Sequence, residues 1–283
     1  MLPQTKPTIC VVLPTYNEAD NLSSIVTAVL NELSKVSSDY VILVVDDGSP
    51  DGTGVIAESL ASEGKHLAVL HRQEKHGIGP AYLAGFRWAL EQGRDLVIEM
   101  DADFSHDPQD IPRLVEAARV ADLVLGSRYV PGGTVVRWGL VRRLLSRAGC
   151  WYARKVLGVR IRDMTGGFKC FRREALRALL MSDPRASGYS FQIEVTYKAV
   201  MAGCVVKEIP IVFHERRAGN SKMSARIALE AAWQVPALKL DLWRLLSPRK
   251  VDLPVGFEDA THRVDDTAAI SVEEIGAPSE GLT

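Results

Sequence analysis

Leu96-Val97-Ile98-Glu99-Met100 runs straight into Asp101-Ala102-Asp103. The first five residues read as a strand and the two acids end it. The same arrangement, a β-rich apolar run stopped by a polar cluster, recurs on either side. Thr8 to Leu13 is a continuous apolar run, as expected of a strand buried on both faces, with Pro14 and Asn17 ending it. Tyr40 to Val45 stops at Asp46-Asp47-Gly48-Ser49-Pro50. Leu67 to Leu70 and Asp122 to Leu125 complete five predicted strands.

Helical spacing fills the gaps. Leu22, Ile25, Val26, Val29, Leu30 and Leu33 recur at i, i+3, i+4, predicting an amphipathic helix capped near Asn17 or Asp20. A second helix runs to about Glu63, a third spans Ala81 to Leu90, and Pro108 opens a fourth at the N1 position that proline favours. Strands alternating with helices specify an α/β fold, with a mostly parallel sheet covered by helices on both faces. The polar clusters follow strands one, two, four and five, so they collect at the carboxyl edge of the sheet, where open α/β sheets bind ligands. That placement points to an enzyme with a nucleotide-like ligand.

After Gly126 the alternation weakens. Val135 to Gly158 is helical in pattern, Ser190 to Met201 is a further helix, and Val205 to Phe213 is a strand. Ser224 to Leu246 reads as a long final helix, bent at Pro236. Residues 1–250 are expected to form the catalytic domain. Residues 251–283 hold eight acids and one base, Arg263, so this stretch carries −7 and leaves about +6 on the rest. It has almost no aromatic residues and reads as a disordered acidic tail. Net charge over all 283 residues is −1, which excludes a whole-chain signal for nucleic acid. The four cysteines lack metal-ligand spacing and are expected to be buried reduced thiols, as in a cytosolic protein. With neither a secretory signal nor about 18 consecutive apolar residues, any membrane contact is expected to be peripheral.

The pair Asp101 and Asp103 can face a divalent cation that bridges a diphosphate, since Mg²⁺ takes one or two carboxylates and completes its shell with phosphate and water; alone, such a pair also suits a surface loop. Asp46 and Asp47 sit in an Asp/Gly turn, yet turn chemistry does not require two acids at the strand end, where one can accept from a ribose or a base. Neither a dinucleotide fingerprint nor a Walker-type loop is present. Tyr16 can pack on a base, and Glu18 can accept from an exocyclic amine. Arg128 lies at the same edge. Glu215 to Lys222 is a basic loop, able either to close over a diphosphate or to remain a solvated surface loop. Thr134 to Arg160 holds seven Lys/Arg and no acid, with Val141, Leu144, Leu145, Ala148, Trp151, Tyr152 and Val156 in a stripe. Such a helix suits an anionic membrane surface, or equally a packed surface helix. Trp233, Leu238, Leu242, Trp243 and Leu245 offer a second apolar edge.

Together, Leu13-Pro14-Thr15-Tyr16-Asn17-Glu18, the run Val45 to Thr53, Met100-Asp101-Ala102-Asp103-Phe104-Ser105-His106, Gly126-Ser127-Arg128-Tyr129 and Asp163-Met164-Thr165-Gly166-Gly167-Phe168-Lys169 resemble glycosyltransferase family 2. Within it they resemble the polyprenol- or dolichol-phosphate mannosyltransferases, with the actinobacterial polyprenol monophosphomannose synthases nearest. The likeness runs from about Thr8 to Trp243. It implies a GT-A fold, Mg²⁺ or Mn²⁺, GDP-mannose as donor and a polyprenyl or dolichyl phosphate as acceptor. Mannose would pass to that phosphate with inversion, giving a β-linked lipid phosphate mannose and GDP.

By the same resemblance, Pro14, Tyr16 and Glu18 hold the guanosine with Val45 and Asp47. Asp101 and Asp103 hold the metal with Ser105 close by, Ala102 touches substrate, and Arg128, Arg216 and Lys222 hold the phosphates or the acceptor. The enzyme would work at the cytoplasmic face of the membrane, and the resemblance allows an integral-membrane partner protein. A polyprenyl-phosphate glucosyltransferase using UDP-glucose, a nucleotidyltransferase and a non-catalytic membrane adaptor are the competing readings.

Overall fold

β1 (Ile9–Thr15) sends Cys10 and Val12 into one apolar core and Ile9, Val11 and Leu13 into another. Successive side chains on a strand point to opposite faces, so an unbroken apolar run demands cover on both. In the computed structural model, which describes residues 6–64, 66–73, 77–182, 184, 188–215 and 233–240, β1 lies in a seven-stranded sheet. The other strands are β2 (Tyr40–Asp46), β3 (Leu67–His71), β4 (Leu96–Glu99), β5 (Leu123–Ser127), β7 (Lys169–Arg172) and β8 (Val206–Pro210). Their order is β3-β2-β1-β4-β7-β5-β8. Only β7 is antiparallel to its neighbours, β4 and β5. Chain order reverses between β1 and β4, the switch point outside whose carboxyl ends open α/β sheets bind ligands. A small second sheet pairs β6 (Thr134–Val135) with β9 (Val212–Phe213).

One core lies under α3 (Ile78–Glu91), α5 (Leu140–Leu157), α6 (Arg173–Met181) and α7 (Gly188–Met201). The other lies under α1 (Ala19–Val36), α2 (Thr53–Glu63) and α4 (Ile111–Ala117). α3 approaches β1 so closely that a Cβ on Gly85 would sit 2.4 Å from Val12 Cγ1, which explains a glycine in mid-helix.

Several boundaries depart from the sequence reading. The helix expected over Val135 to Gly158 begins only at Leu140, because Thr134 and Val135 pair with β9. The strand expected over Val205 to Phe213 divides into β8 and β9, which belong to different sheets. Pro108 opens a 3₁₀ turn, Pro108–Asp110, and α4 follows it. β7 and α6 were not anticipated, since Lys169 and Arg172 disguise the strand. Asn17 does not cap α1; it sits at φ 60°, a left-handed conformation asparagine tolerates, and Glu18 occupies the cap position.

Of the expected final helix, residues 233–240 are helical and the remainder lies outside the described residues. Met1–Leu246 forms one compact unit; a second, Ser247–Thr283, which holds the acidic tail, lies wholly outside the described residues. Among the described residues no helix is long and apolar enough to cross a membrane.

Candidate active site

The loops after β1 and β2 are tied into one wall. Asp46 Oδ1 accepts from the hydroxyls of Ser49 at 2.5 Å and Thr15 at 3.3 Å. Ser49 Oγ in turn accepts the Asn17 N–H, and Thr53 Oγ1 accepts the Glu18 N–H. Asp51 Oδ2 accepts the Ala19 N–H at 3.1 Å, so the loop after β2 satisfies a donor at the start of α1. Burial works to raise the Asp51 carboxyl, but hydrogen bonds from Thr53 and Ala19 hold it below the usual value. These bonds fix where Tyr16 and Glu18, both half-buried, leave the sheet edge.

Asp47 is buried and already engaged. Its Oδ1 meets Arg72 Nη1 at 2.5 Å and its Oδ2 accepts the Gly77 N–H at 3.1 Å. Two acids side by side therefore divide the work: Asp46 braces the wall, and Asp47 joins it to the loop after β3. Val45 is fully buried, its side chain packed in the core near Gly85, and Pro14 is half-buried beside it in the sheet.

The loop after β4 is the most constrained. Tyr82 donates to Asp101 Oδ1 at 3.0 Å. The Asp101 N–H donates to His106 Nδ1 at 3.2 Å, so the His106 proton sits on Nε2. The Ser105 N–H donates to Asp103 Oδ1 at 2.9 Å, and the His214 N–H donates to the Ser105 carbonyl at 3.0 Å. Between them Phe104 takes φ 61°, a conformation costly for a bulky residue, about 1–3 kcal/mol, and sustained only where neighbours enforce it. Burial holds the His106 imidazole below its ordinary pKa, and the ring stacks on Phe168 at 5.0 Å.

Beneath this loop lies an ion pair without solvent contact. Lys169 Nζ donates to Glu99 Oε1 at 2.8 Å and also to Gln192 Oε1. Burial pushes the Glu99 carboxyl up to about 7 and pulls the Lys169 ammonium down. The acid pair thus stands on a polar network inside the sheet.

Asp101 and Asp103 fit a divalent cation of the diphosphate-bridging kind. The Ser105 hydroxyl beside them is buried with no hydrogen-bond partner, a gap an additional oxygen or cation would fill. Among the described residues no group of three His, Cys, Asp or Glu side chains forms a metal cage. Two carboxylates suit an ion whose remaining ligands are phosphate and water. Ala102, between the acids, is buried with the core beneath them.

Arg128 stands at this edge, as expected, and is already engaged by an acid. Its Nε and Nη2 fork onto Asp163 at 2.7 and 2.6 Å, and Nη2 also donates to Thr165 Oγ1 at 2.8 Å. The guanidinium is buried and stands over the rings of Trp138 and Phe213. Its role as seen is to hold the end of β5 against the Asp163 loop. Arg216 and Lys222 lie outside the described residues.

A different arginine connects to the acid pair. Arg142, on the first turn of α5, stacks on Trp138 at 4.0 Å. Trp138 meets Phe213 edge-on at 5.4 Å, and Phe213 meets His106 edge-on at 5.4 Å. His106 then accepts from the backbone of Asp101. α5 is itself two-faced. Cys150, Ala153 and Leu157 pack inward, while Leu140, Val141, Leu144, Leu145 and Trp151 are exposed.

The family model for glycosyl transferase family 2 matches residues 10–180, which include every strand-end cluster described above. The chain belongs to glycosyltransferase family 2. Its sheet, mixed but mostly parallel and covered on both faces, is the GT-A arrangement of that family. Among curated family members, it is 45% identical to an undecaprenyl-phosphate mannosyltransferase of Micrococcus luteus over 80% of this chain and 92% of the relative. It is 48% identical to a polyprenol monophosphomannose synthase of Mycolicibacterium smegmatis over 80% of this chain and 84% of the relative. Among solved structures, a mycobacterial protein superposes with TM-score 0.60 at 23% identity, covering 83% of this chain and 74% of the other. Glucosyl-3-phosphoglycerate synthase from Mycobacterium tuberculosis, solved with Mn²⁺, UDP-glucose and glycerol 3-phosphate, superposes with TM-score 0.56 at 23% identity, covering 83% and 79%. At that identity the superpositions establish the fold.

For this glycosyltransferase the sequence reading missed the roles of Tyr82, Glu99, Gln192, His106, Asp163 and Arg142. His106 and Asp163 carried a signal, since each stands in one of the motifs quoted above.

Proposed function

We propose that the enzyme transfers mannose from GDP-mannose to a polyprenyl or dolichyl monophosphate, with inversion, giving a β-linked polyprenyl phosphate mannose and GDP. The observation that carries this reading is the unbroken line of contacts from α5, through Arg142, Trp138, Phe213 and His106, to Asp101. It joins an outward apolar helix, suited to a lipid surface, to a carboxyl-edge acid pair, suited to a sugar nucleotide. The names of both curated relatives, which pair a polyprenyl lipid with mannose, support the sugar and the acceptor of this reading.

The acceptor is a phosphate monoester whose second pKa is about 6, so at neutral pH it is mostly dianionic and needs no general base. That agrees with a site whose buried acids are committed to structure or placed for a cation. The acceptor oxygen attacks the anomeric carbon opposite the leaving GDP, which inverts that centre. Asp101 and Asp103, with Ser105 beside them, would hold Mg²⁺ or Mn²⁺, which when bound neutralises charge growing on the leaving diphosphate. Tyr82 and His106 fix the Asp101 carboxylate and backbone before substrate arrives. Tyr16, Glu18 and Asp47 form the wall for the guanosine, with Pro14 and Val45 shaping it from below. Arg216 and Lys222 close over the diphosphate. Arg128 positions the edge, and Arg142, which stands 3.4 Å from Glu215, would add its charge on the acceptor side. The enzyme acts peripherally at the cytoplasmic membrane face, with the exposed side of α5 toward lipid.

The test is transfer of radiolabelled mannose from GDP-mannose to a short polyprenyl phosphate, with divalent metal or with chelator, and with UDP-glucose as parallel donor. Metal-dependent mannosyl lipid is expected. Product from UDP-glucose alone would reassign the donor, and no product from either would remove the reading.

A further inference from the structure

One flank of α5 carries a cationic cavity that the transfer chemistry does not use. It measures about 390 Å³. Arg147 and Arg154, seven residues apart and so two turns apart on one side of the helix, line it together with Arg162, from the loop after α5. Cys150 and Tyr129 make the floor, and the exposed Trp151 stands at the rim. Arg147 lies 5.6 Å over the Tyr129 ring. A second cavity of about 410 Å³ shares Arg154 and Arg162 and adds Lys155 and Arg160.

No described acid forms an ion pair with any of these five cations. Asp163, the acid beside Arg162 on this loop, is taken by Arg128, and Glu208, on β8, accepts the backbone N–H groups of Arg162 and Asp163, at 2.8 and 2.9 Å. That fixes the loop bearing Arg162. The floor is rigid too: the Tyr129 hydroxyl donates to Ser146 Oγ at 2.7 Å, and Cys150 Sγ lies 3.3 Å from Thr165 Oγ1.

Three arginines lining one concavity bring the charge and the planar donors that a phosphate takes. The volume falls within the range of about 300–1,000 Å³ usual for small-ligand sites. The position on the helix identifies the carrier. Arg147 and Arg154 border the exposed apolar stripe that holds Leu140, Leu144 and Trp151, where arginine stems lie along apolar surface with their heads at the polar boundary. A free phosphate would gain nothing from that stripe.

We propose that this cavity binds the phosphate of an anionic phospholipid, orienting α5 on the membrane. The proposal rests on the reading that α5 faces lipid, and it concerns a site separate from the acceptor's.

The experiment is flotation of the full chain, without nucleotide sugar and at constant ionic strength, on phosphatidylcholine vesicles with and without phosphatidylglycerol. Removing the three guanidinium groups, in Arg147→Gln/Arg154→Gln/Arg162→Gln, should weaken binding to the anionic vesicles about 100-fold, at roughly fivefold per arginine. The control Arg87→Gln/Arg119→Gln/Arg177→Gln, which removes equal charge elsewhere, should lose far less. Equal losses in the two variants would reduce the cavity to diffuse charge and overturn the proposal. Loss confined to vesicles carrying polyprenyl phosphate would reassign the cavity to the acceptor. Binding of inorganic phosphate without vesicles, with no difference between variant and wild type on anionic vesicles, would assign it to a free anion. In detergent with a short-chain acceptor the cavity variant should keep its transfer rate, so a failure of the lipid site and a failure of the mannosyl-transfer reading give different results.

Discussion

Arg128 and Asp163, thirty-five residues apart, meet through two side-chain hydrogen bonds of 2.7 and 2.6 Å, and the Arg128 backbone N–H adds a third to the same carboxylate at 2.9 Å. Both are buried, so each charge depends on the other. Asp163→Ala should destabilise the enzyme by about 3–5 kcal/mol, measured by urea unfolding, because it strands a buried guanidinium. Burial alone would raise the Asp163 carboxyl, but the Arg128 charge and hydrogen bonds hold it below the usual aspartate value. A depressed pKa in the folded state means the stabilisation is complete above the ordinary value of about 3.9 and is lost as pH falls through the folded value. Asp163→Asn should therefore show a shallower loss of stability below about pH 4 than the wild type. An unchanged acid limb would place the acid sensitivity elsewhere.

Asp103→Ala should keep the fold, yet lose metal-dependent transfer by at least about 100-fold. Circular dichroism and the radiolabel assay, run in parallel, separate folding from function. Near-normal turnover would remove the metal role from this residue.

Lys169 and Glu99 form a wholly buried pair, which is costly to break and not always costly to replace. Lys169→Met alone should destabilise by about 3–5 kcal/mol, and Glu99→Leu/Lys169→Met should recover most of that loss. A double variant as unstable as the single one would attribute the damage to packing, not to a stranded carboxyl.

Cys10 and Cys170 are fully buried, with thiols pushed up to about 12 by burial, and Cys150 is pushed up to about 11. A buried thiol held protonated does not attack. Folded enzyme at pH 8 should therefore release at most the equivalent of Cys204 with an aromatic disulfide reagent, and all four on unfolding. Rapid release of more than one equivalent from folded protein would show that one of the three buried sites opens.

The alternating strands and helices up to β5 were legible because each depends on short-range periodicity. Ile9 to Leu13 had to be covered on both faces whatever it packed against, and the acid clusters had to fall at strand ends. β7 was not legible. It is a short strand whose Lys169 is buried only because Glu99, seventy residues earlier, neutralises it. The Asp163 partner of Arg128 was hidden for the same reason: the arginine's position at the sheet edge was readable, but the acid that meets its guanidinium, thirty-five residues later, was not.

The sequence by itself determined the sheet, its loaded carboxyl edge and the glycosyltransferase motifs, because these follow from the local period of apolar residues and from the order of segments along the chain. Tertiary structure alone decided which charges are committed and which remain available. It locked Arg128 onto Asp163, set Asp47 against Arg72, and left Arg147, Arg154 and Arg162 around an open cavity. Whether a charged side chain acts on a ligand or serves the fold depends on the counter-charge beside it and on the water taken away from it. Both are set by residues distant in the chain.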